Sequence, residues 1–196
     1  ADEETGSGYG LEYLLKHHRD LFHKEDLIIV PDAGNEDGTM IEVAEKSMLW
    51  LQCIVKGRQC HASTPQKGKN SLVGAARSIL ALEALHDQFG ASNELFSPPV
   101  STFAPTKVEP NVPNINTIPG KDTFYLDCRV LPQYSLDAVV QSARETAARV
   151  AEETGLEIHI EPVHRQDAAG PTSPEAPVVK SLQRAIKKVK DRPGKP

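Results

Sequence analysis

The chain has 196 residues, 39% of them hydrophobic and 25% charged, with a formal net charge of −5. This describes one large or two small globular domains of ordinary composition. The acidic balance gives no footprint for nucleic acid or an anionic membrane surface, and no apolar stretch is long enough to span a bilayer.

In chain order, Asp2, Glu3 and Glu4 precede a Gly- and Ser-containing turn. Tyr9, Leu11, Tyr13, Leu14 and Leu15 fit a short amphipathic helix over 8–18, with His17 and His18 at its C-terminal end, where imidazolium suits the helix dipole. Leu27, Ile28, Ile29 and Val30 form a continuous apolar run, expected to be a strand buried on both faces and ending at Pro31-Asp32-Ala33-Gly34. Residues 39–44 are a shorter strand candidate. A long strand follows over 46–57, then the loop Arg58-Gln59-Cys60-His61-Ala62-Ser63-Thr64-Pro65. Asn70 or Ser71 caps a helix over 72–88. Its apolar arc includes Leu72, Val73, Ala76, Ile79, Leu80 and Leu85, wider than one sheet face covers, which points to a subunit contact. A strand over 100–108 leads to a loop rich in Asn and Pro. Phe124, Leu126, Cys128 and Val130 then alternate along a strand over 123–131. Leu136, Val139, Val140, Ala143, Ala147 and Val150 repeat at helical spacing over 135–153, and Gly155 is placed to stop that helix. Leu156, Ile158 and Ile160 alternate in a last strand, and a linker leads to a helix with a basic end.

From 46 to 163 the order strand–helix–strand–strand–helix–strand is the split βαβ, ferredoxin-like arrangement. The flanking pieces do not look like complete domains, so the expected organisation is a partial domain over 1–45, an inserted α+β module over 46–163, and a linker with a returning helix over 164–196. Beginning without Met and ending just past a helix, the chain reads as the middle of a longer protein. Cys53, Cys60 and Cys128 are sparse and lack CxxC spacing, as expected of reduced thiols in a cytoplasmic compartment.

The acids near the start carry the first chemical signal. Acid-tipped strands place carboxylates at the sheet edge where open α/β folds bind ligands, and carboxylate oxygens suit metal ions. Adjacent Glu3 and Glu4 point in different directions, so they do not make equivalent ligands. A division of labour is easier, one gripping metal and its neighbour taking a proton from water. The same residues before a helix also serve capping and the helix dipole, and Asp32 also suits a turn; the residues alone leave these readings open.

Five motifs in order then resemble the co-catalytic zinc aminoacylase/carboxypeptidase family, which includes acetylornithine deacetylase, succinyl-diaminopimelate desuccinylase, aminoacylase and glutamate carboxypeptidase. They are Asp2-Glu3-Glu4-Thr5-Gly6-Ser7, Pro31-Asp32-Ala33-Gly34 after an apolar run, Gly57-Arg58-Gln59-Cys60-His61-Ala62-Ser63-Thr64-Pro65, Asn116-Thr117-Ile118-Pro119-Gly120, and Asp127-Cys128-Arg129-Val130-Leu131-Pro132. The resemblance implies an α/β fold, a partial zinc-peptidase-like catalytic domain with the ferredoxin-like module inserted as a lid and dimerisation domain. It implies Glu3 as general base, Glu4 and Asp32 as one ligand each to two Zn2+ ions (Co2+ or Mn2+ being alternatives), and His61 as an oxyanion donor reaching the partner subunit's active site. Asn116 and Arg129 would contact substrate, with pairing of Arg129 to a neighbouring acid as the structural alternative. The implied activity is hydrolysis of N-acyl amino acids or short peptides by a homodimer. The family's remaining metal ligands lie outside residues 1–196, so this chain alone is expected to bind zinc weakly and to be inactive. The other function class left open is a non-catalytic dimerisation or binding module that keeps the fold.

Overall fold

The computed structural model describes residues 7–32 and 34–196. In chain order the main elements are α1 (Leu11–His17), β1 (Ser47–Lys56), β2 (Cys60–His61), α2 (Ser71–Leu82), α3 (Ala84–Gln88), β3 (Thr102–Val108), β4 (Thr117–Ile118), β5 (Lys121–Val130), α4 (Leu136–Thr154), β6 (Glu157–Gln166) and α5 (Pro177–Lys190). They fall into two compact units, one spanning Val43–Thr172 and one drawn from both ends of the chain, up to Glu42 and from Ser173 onward.

In the central unit the four long strands take the order β3-β5-β1-β6, every neighbouring pair antiparallel. With α2 and α3 after β1 and α4 after β5, this is the ferredoxin-like arrangement that the alternating periods predict. Strict alternation decides which face is covered. Leu49, Leu51, Cys53 and Val55 of β1 and Phe124, Leu126, Cys128 and Val130 of β5 turn to one face and are buried. Against them lie Ala75 and Leu82 of α2 and Leu136, Val139, Ala143 and Ala147 of α4. Each fully buried Leu or Phe contributes about 1.5–3 kcal/mol relative to exposure, so this layer carries most of the unit's stability. The opposite sheet face carries Trp50, Gln52, Tyr125, Asp127 and Arg129, all partly exposed.

The helix ends follow local chemistry. Asn70 Oδ1 accepts the Leu72 and Val73 amides at 3.0 and 3.3 Å, which settles the cap of α2 on Asn70. Ser135 Oγ accepts the Asp137 amide at the start of α4. Gly155, at φ +64°, ends α4 in the left-handed region, where a side chain is disfavoured.

The single helix expected over 72–88 divides at Glu83. There the amide bonds back three residues to the Leu80 carbonyl, a 3₁₀ step that tightens the chain before α3. Leu72, Val73 and Leu80 of α2 face outward, at 48%, 48% and 73% exposure. The last strand, β6, runs well past the alternation of Leu156, Ile158 and Ile160 and pairs with β1 through Gln166.

In the other unit, α1 forms where the periodicity predicts, and Leu11, Leu14 and Leu15 remain exposed. Met40 pairs in parallel with Lys195, with the Ile41 amide on the Lys195 carbonyl at 2.8 Å, and Ile41 and Val179 are buried. The strand expected over Leu27, Ile28, Ile29 and Val30 is not formed, and all four residues are more than half exposed. An apolar run becomes a strand only by pairing with others, and no described residue pairs with this one. Among the described residues, no helix is long and apolar enough to cross a membrane.

Candidate functional site

His61 and Asn116 are brought together by a two-stranded ribbon. Cys60 pairs with Ile118 and His61 with Thr117, and the Ala62 amide donates to the Asn116 carbonyl at 2.8 Å. The ribbon continues the β1–β5 ladder outward, because the Gly57 amide donates to the Gly120 carbonyl at 2.8 Å. Arg58 and Lys69 exchange backbone bonds at 2.9 and 2.8 Å, closing the loop that carries His61. The chain approach is so close that a Cβ on Gly57 would sit 2.1 Å from the Lys69 carbonyl oxygen. Beneath the ribbon, buried Asp122 accepts Ser71 Oγ at 2.5 Å and Asn111 Nδ2 at 2.6 Å. The Pro119 carbonyl, 2.9 Å from the same Ser71 oxygen, is a second acceptor within reach of its single proton. One carboxylate thus ties the start of α2 to both ends of the Asn- and Pro-rich loop.

The side chains of His61 and Asn116 are exposed on this rigid edge. His61 lies in a tight turn, its carbonyl accepting the Thr64 amide at 3.0 Å. Its Nδ1 has Ser63 Oγ at 2.7 Å and receives the Ser63 amide at 3.2 Å. Neighbouring Cys60 lies with Sγ 3.5 Å from the carbonyls of His61 and Thr64, a packing role.

Arg129 is elsewhere. Met48 faces Arg129 at one end of the β1–β5 ladder and Lys56 faces Lys121 at the other. At ~3.3 Å per residue those ends are ~26 Å apart, and the His61 ribbon extends beyond the Lys56 end. The guanidinium is held flat against Asp127, Nε to Oδ1 at 2.8 Å and Nη2 to Oδ2 at 3.0 Å. Trp50 Nε1 donates to the same carboxylate at 2.7 Å, and the indole lies on the His164 ring at 4.8 Å between centroids. The neighbouring-acid pairing is therefore real, and it leaves Nη1 outside the fork. Period-2 spacing of Asp127 and Arg129 on one strand face was the signal for this pair. The contribution of Ser63 and Asp122 escaped the sequence, because a short polar side chain in a loop and a lone acid opening a strand carry no spacing signal.

Glu3 and Glu4 lie outside the described residues. Asp32 is exposed and follows no strand. Among the described residues no three His, Cys, Asp or Glu side chains converge as a metal would need, so the described part of this chain does not form a metal centre on its own.

The buried thiols are inert by environment. Burial pushes the Cys53 thiol up to about 12, and burial together with the Asp127 charge raises Cys128 further.

Comparison with known proteins agrees with this architecture. The chain is 37% identical over its whole length to a protein named as an uncharacterized metallohydrolase in Methanocaldococcus jannaschii, of which it covers 50%. It is 28% identical, over 80% of its length, to succinyl-diaminopimelate desuccinylase of Dinoroseobacter shibae, covering 41% of that protein. The chain thus spans about half the length, or less, of the curated relatives it matches. The aminopeptidase PepT of Bacillus cereus superposes with a TM-score of 0.63 at 20% identity, over 83% of this chain and 40% of that one. A hydantoinase/carbamoylase family amidase from Burkholderia ambifaria superposes at 0.61 and 24% identity, over 76% and 34%. Residues 43–155 match the peptidase dimerisation domain, and the chain belongs to that family.

Proposed function

We propose that this chain is the lid and dimerisation part, with adjoining catalytic-domain segments, of a cytoplasmic metal-dependent amide hydrolase acting on N-acyl amino acids or short peptides. Relatives named as a metallohydrolase and as a desuccinylase support the reaction class. The observation that carries the reading is the rigid ribbon that presents His61 and Asn116 side by side at one end of the sheet.

In this reading Glu3 takes a proton from the attacking water and passes it to the leaving amine. An N–H of His61 meets the charge that develops on the carbonyl oxygen, a contact worth roughly 2.7–4 kcal/mol by comparison with other oxyanion donors. Asn116 orients the acyl group beside it. Arg129, held planar by Asp127, offers the free edge of its guanidinium to a substrate carboxylate. Two Zn2+ ions would complete the catalytic centre, with Glu4 and Asp32 giving one ligand each and the other ligands coming from outside this chain.

The distance between the ribbon and Arg129 supports a site shared between subunits. An N-acyl amino acid is far shorter than the sheet, so one chain does not place both His61 and Arg129 on one substrate. Two chains do, if His61 and Asn116 of one subunit meet Arg129 of the other. The homodimer would form through the module of residues 46–163, with the outward face of α2 at Leu72, Val73 and Leu80 meeting a second copy. The test is a deacylase and dipeptidase panel on the complete protein with and without His61→Ala and Glu3→Gln. Loss of turnover in both variants, with the dimer intact, is expected. Turnover at the wild-type level in either variant removes that residue's role, and no turnover of any substrate by the wild type leaves a dimerisation module alone.

A further inference from the structure

We propose that Ser63 is a positioning residue that holds His61 as the neutral tautomer with its proton on Nε2. The backbone amide of Ser63 can only donate, and it is directed at His61 Nδ1 from 3.2 Å. A ring nitrogen that receives an N–H presents a lone pair and carries no proton of its own. The Ser63 hydroxyl, 2.7 Å from the same atom, therefore donates to it as well. In neutral imidazole one nitrogen is the donor and the other the acceptor, and the hydrogen bond at one decides the state of the other. Nδ1 being the acceptor, Nε2 is the N–H.

The turn makes this hold rigid. The Thr64 amide and hydroxyl both reach the His61 carbonyl, at 3.0 and 3.3 Å, and Pro65 follows at the start of a 3₁₀ turn. Main chain and ring are thus fixed together within four residues, His61 to Thr64. The consequence rests on the catalytic reading of His61 given above: a developing oxyanion needs a donor facing it, and the other tautomer would turn a lone pair toward it. Ser63 acts on the reaction through His61 and does not itself touch substrate.

The test is nitrogen-resolved NMR of the His61 ring in this chain, labelled with nitrogen-15, at a pH where the imidazole is neutral. The wild type is expected to show unprotonated Nδ1 and protonated Nε2. Ser63→Ala keeps the backbone donor and loses the hydroxyl, so the minor tautomer is expected to rise roughly two- to tenfold, the span of one ordinary hydrogen bond. Ser63→Thr, which keeps the hydroxyl, is expected to restore the wild-type spectrum. A wild-type ring protonated on Nδ1, or a Ser63→Ala spectrum identical to wild type, overturns the proposal. In the complete protein, Ser63→Ala is expected to lower kcat in proportion to the Nε2-protonated fraction that the ring spectrum shows to be lost, with KM unchanged, and Ser63→Thr to recover it. The ring spectrum decides the hold of Ser63 on His61 whatever His61→Ala does to turnover, so failure of the catalytic reading and failure of this proposal are read separately.

Discussion

Replacing Asp122 with Ala tests how the ribbon is anchored. Asp122 is 2% exposed and accepts two short hydrogen bonds, from Ser71 Oγ at 2.5 Å and Asn111 Nδ2 at 2.6 Å. In Asp122→Ala the Ser71 proton turns to the Pro119 carbonyl, 2.9 Å away, so a bond to a carboxylate is exchanged for a weaker one to a carbonyl and no donor is stranded. Asn111 is exposed and turns to water. One lost bond and one weakened, at about 0.5–1.5 kcal/mol each, with a small added cost for the vacated space, come to ~2–3 kcal/mol. For a unit of this size that is a fall in Tm of about 6–12 °C. Trp50 is the only tryptophan in the chain and sits in β1, so its fluorescence follows this unit through thermal and urea unfolding. Native-state hydrogen exchange adds the local readout. The Ala62 and Gly57 amides, which bridge to Asn116 and Gly120, should lose protection before the amides of the β1–β5 ladder. A variant within about 0.5 kcal/mol of wild type, with ribbon protection unchanged, would refute the anchoring role.

Other outcomes follow from the same geometry. Gly57→Ala drives a Cβ to 2.1 Å from the Lys69 carbonyl oxygen, backbone that cannot swing aside, so it should cost at least about 2 kcal/mol in the same melt. In the folded chain a thiol reagent should modify half-buried Cys60 alone, with Cys53 and Cys128 reacting only after denaturation; three equally fast thiols would contradict the packing. Hydrogen bonds from His159 and Lys56 hold the Glu157 carboxyl below its ordinary value. A carboxyl depressed by folding stabilises above its unfolded pKa and loses that contribution as pH falls through the folded value. Urea titrations at about pH 7 and about pH 3 should therefore show Glu157→Gln less stable than wild type at the first, with the difference reduced at the second. Salt should shrink the difference, because the pair is exposed.

The module was legible where one face is buried and the other is not. Alternation along Phe124, Leu126, Cys128 and Val130 and helical spacing from Leu136 to Val150 each describe a surface that must be covered, and both elements stand where the pattern puts them. The pattern fails where backbone bonding alone decides. The second half of β6 is polar and exposed, held by its ladder to β1, and no periodicity marks it. The break at Glu83 is a change in hydrogen-bond span inside a continuous apolar stripe. Leu27 to Val30 show the reverse error, since hydrophobicity does not make a strand where no described residue pairs with it. At the candidate site, the separate motifs of His61 and Asn116 did not place the two side by side, because the ribbon that joins them is only two residues long on each side. The separation of Arg129 from them needed the register of β1 on β5, which no motif encodes.

Mixing two inactive variants of the complete protein, His61→Ala and Arg129→Ala, tests the central placement most directly. In the proposed arrangement, with His61 and Arg129 at opposite ends of the sheet, each active site would draw its imidazole from one subunit and its guanidinium from the other. A mixed dimer then contains one intact site, and random reassociation should restore about a quarter of wild-type turnover. A mixture that stays as inactive as its two components, although mixed dimers form, would contradict that placement.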